Sequence, residues 1–282
     1  MSDISRPESG WRAFWNRGGW WKALIVVVVY LVVYQFMPAL WAPAIAAAGE
    51  TFASPAGVFW GLGMPVIVGS VILLLFSWSL GWLPVPLFSK QPVPARGWMW
   101  IAVVLVLIPI LLRLFGTDYS RYSVGTIIMA FATGLFIGLS EELLTRGLVV
   151  NLMRRAGHKE LAVAAVSSLF FALLHSTNLF AGQSFVAVGY TLLYTFGFGV
   201  LMYLIMRATG NLVWAVILHG LTDPTGFLAS GGVDTGDGGS GGLLGLVFPA
   251  TVVLILAGFV LLFFIRGQAY PELAKKKAVA TV

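Results

Sequence analysis

Long apolar stretches dominate the chain, near 22–40, 56–78, 98–115, 123–150, 160–180, 185–207, 211–230 and 243–265. Short segments rich in polar residues, proline or glycine separate them. An α-helix needs about 20 apolar residues to cross the hydrocarbon core of a bilayer. Each stretch therefore predicts one transmembrane helix, and the fold class is all-α: a polytopic membrane protein, a bundle of about eight helices. A continuous membrane domain over 22–266 is expected between an interfacial segment at 1–21 and a basic tail at 267–282. Trp15, Trp20 and Trp21 flank the first stretch, where an interfacial aromatic belt belongs. Gly134 and Gly138, four apart in the fourth stretch, fit either a close helix approach or ordinary small-residue packing.

The apolar pattern is broken inside the membrane in three places. The fourth stretch carries Glu141, Glu142 and Arg146; the fifth carries His175; the seventh carries His219 and Asp223 on one helical face. Counted at 1.5 Å per residue from the expected ends of their helices, Glu141 lies ~20 Å deep, Arg146 ~12 Å, His175 ~22 Å, His219 ~14 Å and Asp223 ~20 Å. Three helices thus put their strongly polar groups in one layer, which predicts a shared polar cavity. Singly, each has a plainer account: a packing histidine, a structural Glu142–Arg146 ion pair, and a helix interrupted at Pro224. A carboxylate at the centre of a membrane costs about 3 kcal/mol, so the cluster as a whole predicts function. His158, in a basic loop, reads as a solvated bystander.

Composition sharpens the picture. The chain is 59% hydrophobic and 10% charged, far from a soluble domain at roughly a quarter charged. It has no cysteine, which excludes disulfides and thiolate metal sites. The net charge of +6 raises nucleic acid as a partner, but its distribution does not support one. With the N-terminus cytoplasmic, 15 of the 17 basic residues fall on the cytoplasmic side, and only Arg113 and Arg121 face the other way. The positive-inside rule then puts both termini in the cytoplasm; the cell (inner) membrane is the expected location, with periplasm, cell exterior or an organelle lumen open for the other side. The first apolar run has no small-residue cleavage site and predicts an uncleaved span. The glycine-rich segment 231–242 and the end around Lys275, Lys276 and Lys277 are expected to be flexible.

Buried Glu and His side chains suit hydrolysis of an amide. A glutamate can act as general base on water, histidines can polarise a carbonyl or protonate an amine, and an arginine can orient a carboxylate. The same donors could ligate Zn²⁺, with Glu141, His175 and His219 as ligands. No His-Glu-x-x-His occurs, and Ser140 is not the serine of a Gly-x-Ser-x-Gly elbow.

The order Glu141-Glu142-x-x-x-Arg146, Phe171-x-x-x-His175, His219-x-x-x-Asp223 resembles the three-motif signature of the CPBP family. That family comprises type II CAAX prenyl endopeptidases with abortive-infection-like and bacteriocin-processing membrane proteins. The resemblance covers about residues 123–230. It implies an intramembrane endopeptidase acting on a membrane-associated peptide or lipidated protein, such as a prenylated CAAX substrate, near the cytoplasmic half of the bilayer. It implies that Glu141 activates water with His175 assisting, that Glu142 and Arg146 support the base, and that His219 and Asp223 stabilise the oxyanion. Asp223 stands where some family members have asparagine, which leaves its protonation state open. Glutamate-activated water needs no metal, and a metal-independent reaction is slightly favoured over Zn²⁺. Two other classes stay compatible with the residues: a non-catalytic membrane scaffold or immunity protein, and a proton-coupled transporter. The lack of internal repeats weighs against the last.

Overall fold

The computed structural model describes residues 9–232 and 241–273. Among them are eight helices long and apolar enough to cross a membrane: α1 (Trp20–Ala48), α2 (Pro55–Ser79), α3 (Gly97–Gly116), α4 (Val124–Arg155), α5 (Glu160–Leu179), α6 (Phe185–Thr209), α7 (Leu212–Ser230) and α8 (Leu244–Leu262). They form an all-α polytopic membrane bundle. Most of the glycine-rich segment and the Lys275, Lys276 and Lys277 tail, both expected to be flexible, lie outside the described residues.

Local chemistry fixes several helix ends. Ser123, Ser184 and Asn211 accept backbone N–H groups at the starts of α4, α6 and α7, which satisfies donors a helix otherwise leaves unpaired. Pro224 lies within α7 without ending it. Its ring nitrogen has no hydrogen, so the carbonyl of Gly220 loses its ladder donor there.

The bundle has an inside and an outside. In α4, α5, α6 and α7 half or more of the apolar window is buried in protein, against 28% in α1 and 22% in α8. The centre is α6, where every residue from Val200 to Ile205 is fully buried. The outer helices turn Val29, Leu75, Val104 and Leu256 outwards, as a lipid-facing surface requires.

The most extensive helix pair is α4 with α7, and glycine makes it possible. A Cβ on Gly138 would come 2.4 Å from the carbonyl oxygen of Val216, and one on Gly134 would come 2.5 Å from that of Gly220. The Gly134-x-x-x-Gly138 pair is therefore a true backbone approach. It draws the Glu141–Glu142 turn of α4 towards the His219 turn of α7.

A second buried charge cluster ties the opposite end of the bundle. Glu160, the first residue of α5, is fully buried. Arg154 donates to it from Nε at 3.0 Å and from Nη2 at 2.7 Å, Arg207 donates from Nη1 at 3.1 Å, and the Tyr203 hydroxyl also donates to it. Arg154 Nη1 reaches Gln91 Oε1 at 2.7 Å and Arg207 Nη2 reaches the carbonyl of Pro94 at 2.8 Å. This clasp pins the α2–α3 connection to α4, α5 and α6.

The aromatic belt is partly corrected. Trp20 and Trp21 are exposed. Trp15, in the short helix Gly10–Asn16, is buried instead, edge-on to Phe76 at 5.1 Å. Its ring closes the end of the bundle rather than facing lipid headgroups.

Candidate active site

The three polar interruptions of the sequence meet. Just after Glu142 the helix α4 widens into π turns over Leu143–Val149. Such turns recur at functional sites because they displace side chains from the regular helical register. Glu142 and Arg146 are both fully buried as side chains and pair at 3.0 Å. The guanidinium also donates from Nη1 to Thr145 Oγ1 at 2.7 Å and lies 4.5 Å over the ring of Phe171. Gly199 on α6 makes room for it, since a Cβ there would stand 2.8 Å from Arg146 Nη2.

The oxygen of Glu142 that takes Arg146 also takes His219. Nδ1 of His219 is 2.8 Å from Glu142 Oε1, and a carboxylate accepts, so Nδ1 carries the hydrogen. That bond and the edge-on rings of Phe171 and Phe198, at 5.5 and 5.2 Å, fix the imidazole plane. The far nitrogen, Nε2, then stands 3.7 Å from Glu141 Oε2 and 3.5 Å from Asp223 Oδ2. Arg146, Glu142, His219 and the Glu141–Asp223 pair thus form one connected line.

The line ends at a cavity of about 150 Å³ whose wall includes Glu141, His175, Asp223, Tyr30, Tyr34 and Asn178. Glu141 and Asp223 are partly open to it, with side-chain exposures of 21% and 22%, whereas His219, at 3%, stands behind them. Nδ1 of His175 lies 3.2 Å from the carbonyl of Phe171 and must donate there, which makes Nε2 an acceptor in the neutral ring. All six residues singled out in the sequence therefore belong to one site: three line the cavity and three form its support.

Glu142 pairs with both Arg146 and His219, and His219 in turn faces Glu141. The cavity includes Thr177 and Asn178, at the α5–α6 end, away from the end held by Arg154 and Glu160. His158 is half-buried in the α4–α5 turn and is not part of the cavity.

Tyr30, Tyr34 and Asn178 were missed in the sequence. A signal existed for each. The tyrosines are the polar-tipped residues, four apart, in a valine-rich run, and Asn178 follows His175 by three. Among the described residues no three His, Asp or Glu side chains are arranged to hold one metal ion.

Residues 123–225 match the family model of the type II CAAX prenyl endopeptidase Rce1-like proteins. The matched segment holds all six residues and is the family that the three motifs resemble. The match shows that this segment is similar to that family. A search of the curated proteins gives no match.

Proposed function

We propose that the protein is an intramembrane endopeptidase that hydrolyses a peptide bond with glutamate-activated water. The observation that carries this reading is the connected line from Arg146 through Glu142 and His219 to two carboxylates at a cavity wall. Glu141 takes a proton from water as the water oxygen attacks the carbonyl carbon. The C–N bond then breaks, and the proton passes from Glu141 to the departing amine. Nε2 of His175 accepts the water's second hydrogen and aims its lone pair. The Arg146–Glu142 pair keeps His219 presented to the two carboxylates, and His219 shares a proton with Asp223. In its protonated form Asp223 donates to the oxyanion, and the Asn178 amide donates beside it. None of these steps requires a metal.

The substrate class is a membrane-associated peptide of CAAX type, prenylated or not, which the family match supports. The distribution of basic residues supports cytoplasmic termini in the cell (inner) membrane. The 123–225 match lies within the segment read as the functional core, inside a membrane domain spanning 22–266.

The test is cleavage of a quenched fluorescent prenylated CAAX peptide by the detergent-purified chain, beside Glu141→Gln, with and without a chelator. Cleavage by wild type, lost in the variant and unchanged by chelator, is the expected result. Full activity in Glu141→Gln would overturn the role of Glu141. Loss of activity with chelator, restored by Zn²⁺, would overturn the metal-free route.

A further inference from the structure

A second cavity, about 580 Å³, adjoins the catalytic one, and Asp223 and Phe227 belong to the walls of both. The rest of its wall is drawn from helix ends on one side of the bundle. Arg113 comes from the last turn of α3, Thr191 from early in α6, Ser230 from the end of α7 and Thr251 from early in α8. The Glu160 clasp, which takes Arg207 from late in α6, marks the opposite end. From Ser230 to Asp223 the cavity follows about two turns of α7, roughly 10 Å along the axis. It therefore leads from the end of the bundle to the carboxylate that faces His219 Nε2 at 3.5 Å.

The lining chooses among occupants. The hydroxyl of Thr222 donates to the carbonyl of Leu218 at 2.9 Å, that of Thr191 to Ala187 at 3.1 Å, and that of Ser230 to Gly226 at 2.9 Å. Each hydrogen is committed to the residue's own helix, so these oxygens can only accept from whatever fills the space. Arg113, on the same wall, can only donate. A hydrocarbon tail answers neither kind of group, and an anion has no hydrogen for the hydroxyl oxygens. Water both donates and accepts, and a polar cavity needs only about 10–15 Å³ to hold one molecule.

We propose that this second cavity is a water-filled vestibule through which the hydrolytic water reaches the site from the end of the bundle opposite the Glu160 clasp. That it supplies hydrolysis rests on the proteolytic reading above; that it is wet does not. Water that passes Asp223 arrives at the His219 nitrogen that also faces Glu141 Oε2, at 3.7 Å. In the proposed topology this entrance is on the non-cytoplasmic side. The catalytic cavity need not then open to the cytoplasm to be supplied with water.

The chain has no cysteine, so single cysteines can report on the vestibule without a background. Thr191→Cys and Thr251→Cys, two variants on different helices, are made in the full chain. Intact cells are treated from outside with a charged methanethiosulfonate that does not cross membranes. Ser120→Cys, in the α3–α4 connection, marks the vestibule end, Ser9→Cys marks the other end, and Leu256→Cys, 60% exposed on α8, marks the lipid face. Both vestibule cysteines should react from the side that labels Ser120→Cys, about tenfold or more faster than Leu256→Cys, because a charged reagent does not enter hydrocarbon. Reaction as slow as that of Leu256→Cys at both positions would overturn the proposal and is the pattern of a lipid-filled space. Reaction only from the Ser9 side would overturn it too. Cleavage is read on the same variants after purification: the adducts should slow it severalfold, and a reducing agent should restore it. An unchanged rate in fully labelled chains would overturn the supply of water by this route. Fast labelling of a chain that, unlabelled, cuts nothing would sink the protease reading and leave the wet vestibule standing.

Discussion

The protein buries two clusters of the same residue types, one at each end of α4's second half, and finishes them differently. In the Glu160 clasp, both carboxylate oxygens are taken by Arg154, Arg207 and Tyr203, and the spare arginine donors go to Gln91 and Pro94. One buried side-chain atom of that cluster, Arg207 Nε, has no partner. In the cavity cluster four lack one: Glu141 Oε2, Glu142 Oε2, Arg146 Nε and Arg146 Nη2. A buried polar atom without a partner costs about 1–3 kcal/mol, more when charged. A closed network at that depth holds the fold together, and one left incomplete keeps hydrogen-bonding capacity for water and substrate. On the proposed function, the difference separates a structural cluster from a chemical one where residue type alone does not.

Substitutions should keep the two clusters apart. The largest effect belongs to Glu141→Gln, which should lower kcat/KM by about 10²–10⁴, the usual contribution of a general base, while the unfolding temperature in detergent stays close to wild type. If instead the variant unfolds far earlier than wild type, Glu141 is a structural residue and the comparison breaks. Glu160→Gln should do the reverse. Removing the carboxylate leaves Arg154 and Arg207 buried without their counter-charge, at a cost of about 3–5 kcal/mol. Thermal unfolding in detergent should show the loss, and the molecules still folded should cut at a near wild-type rate. A rate loss without a stability loss would make the clasp part of the chemistry.

Gly138→Ala is smaller and sharper. Its methyl would meet the backbone carbonyl of Val216 at 2.4 Å, so α4 and α7 must part. Overpacking of this kind costs about 1–3 kcal/mol. Because the same contact sets Glu141 against His219, activity should fall more than stability does; an unchanged rate would mean that the approach does not position the site. Asn178→Ala should be the mildest, lowering kcat/KM about tenfold or less with no change in unfolding, as for a single neutral hydrogen bond. Wild-type kinetics in that variant would remove Asn178 from the oxyanion role.

Much of this was visible along the chain. The spans were legible because a membrane demands length and apolarity together, and few other sequences satisfy both. That the polar groups of α4, α5 and α7 meet was legible because helical rise converts residue number into depth. What depth does not give is rotation about the helix axis. The pairing of Glu142 with both Arg146 and His219 depends on the π turns over Leu143–Val149, and those leave no mark in apolar periodicity. The clasp was missed for a different reason. Arg154 and Arg207 flank spans, where basic residues report topology, and nothing in a flanking arginine says whether it faces water or a buried Glu160. Trp15 was misplaced in the same way, since an interfacial tryptophan and a buried one look alike in the sequence.

Hydropathy and helical rise depend on residue order alone, and they were enough to read off an all-α membrane protein and the layer in which six polar side chains gather. Which carboxylate holds His219, which one opens on the cavity, and the second space that adjoins it came from three-dimensional packing. Those depend on how α3, α4, α6 and α7 rotate and approach one another, which is set by packing between residues far apart in the chain.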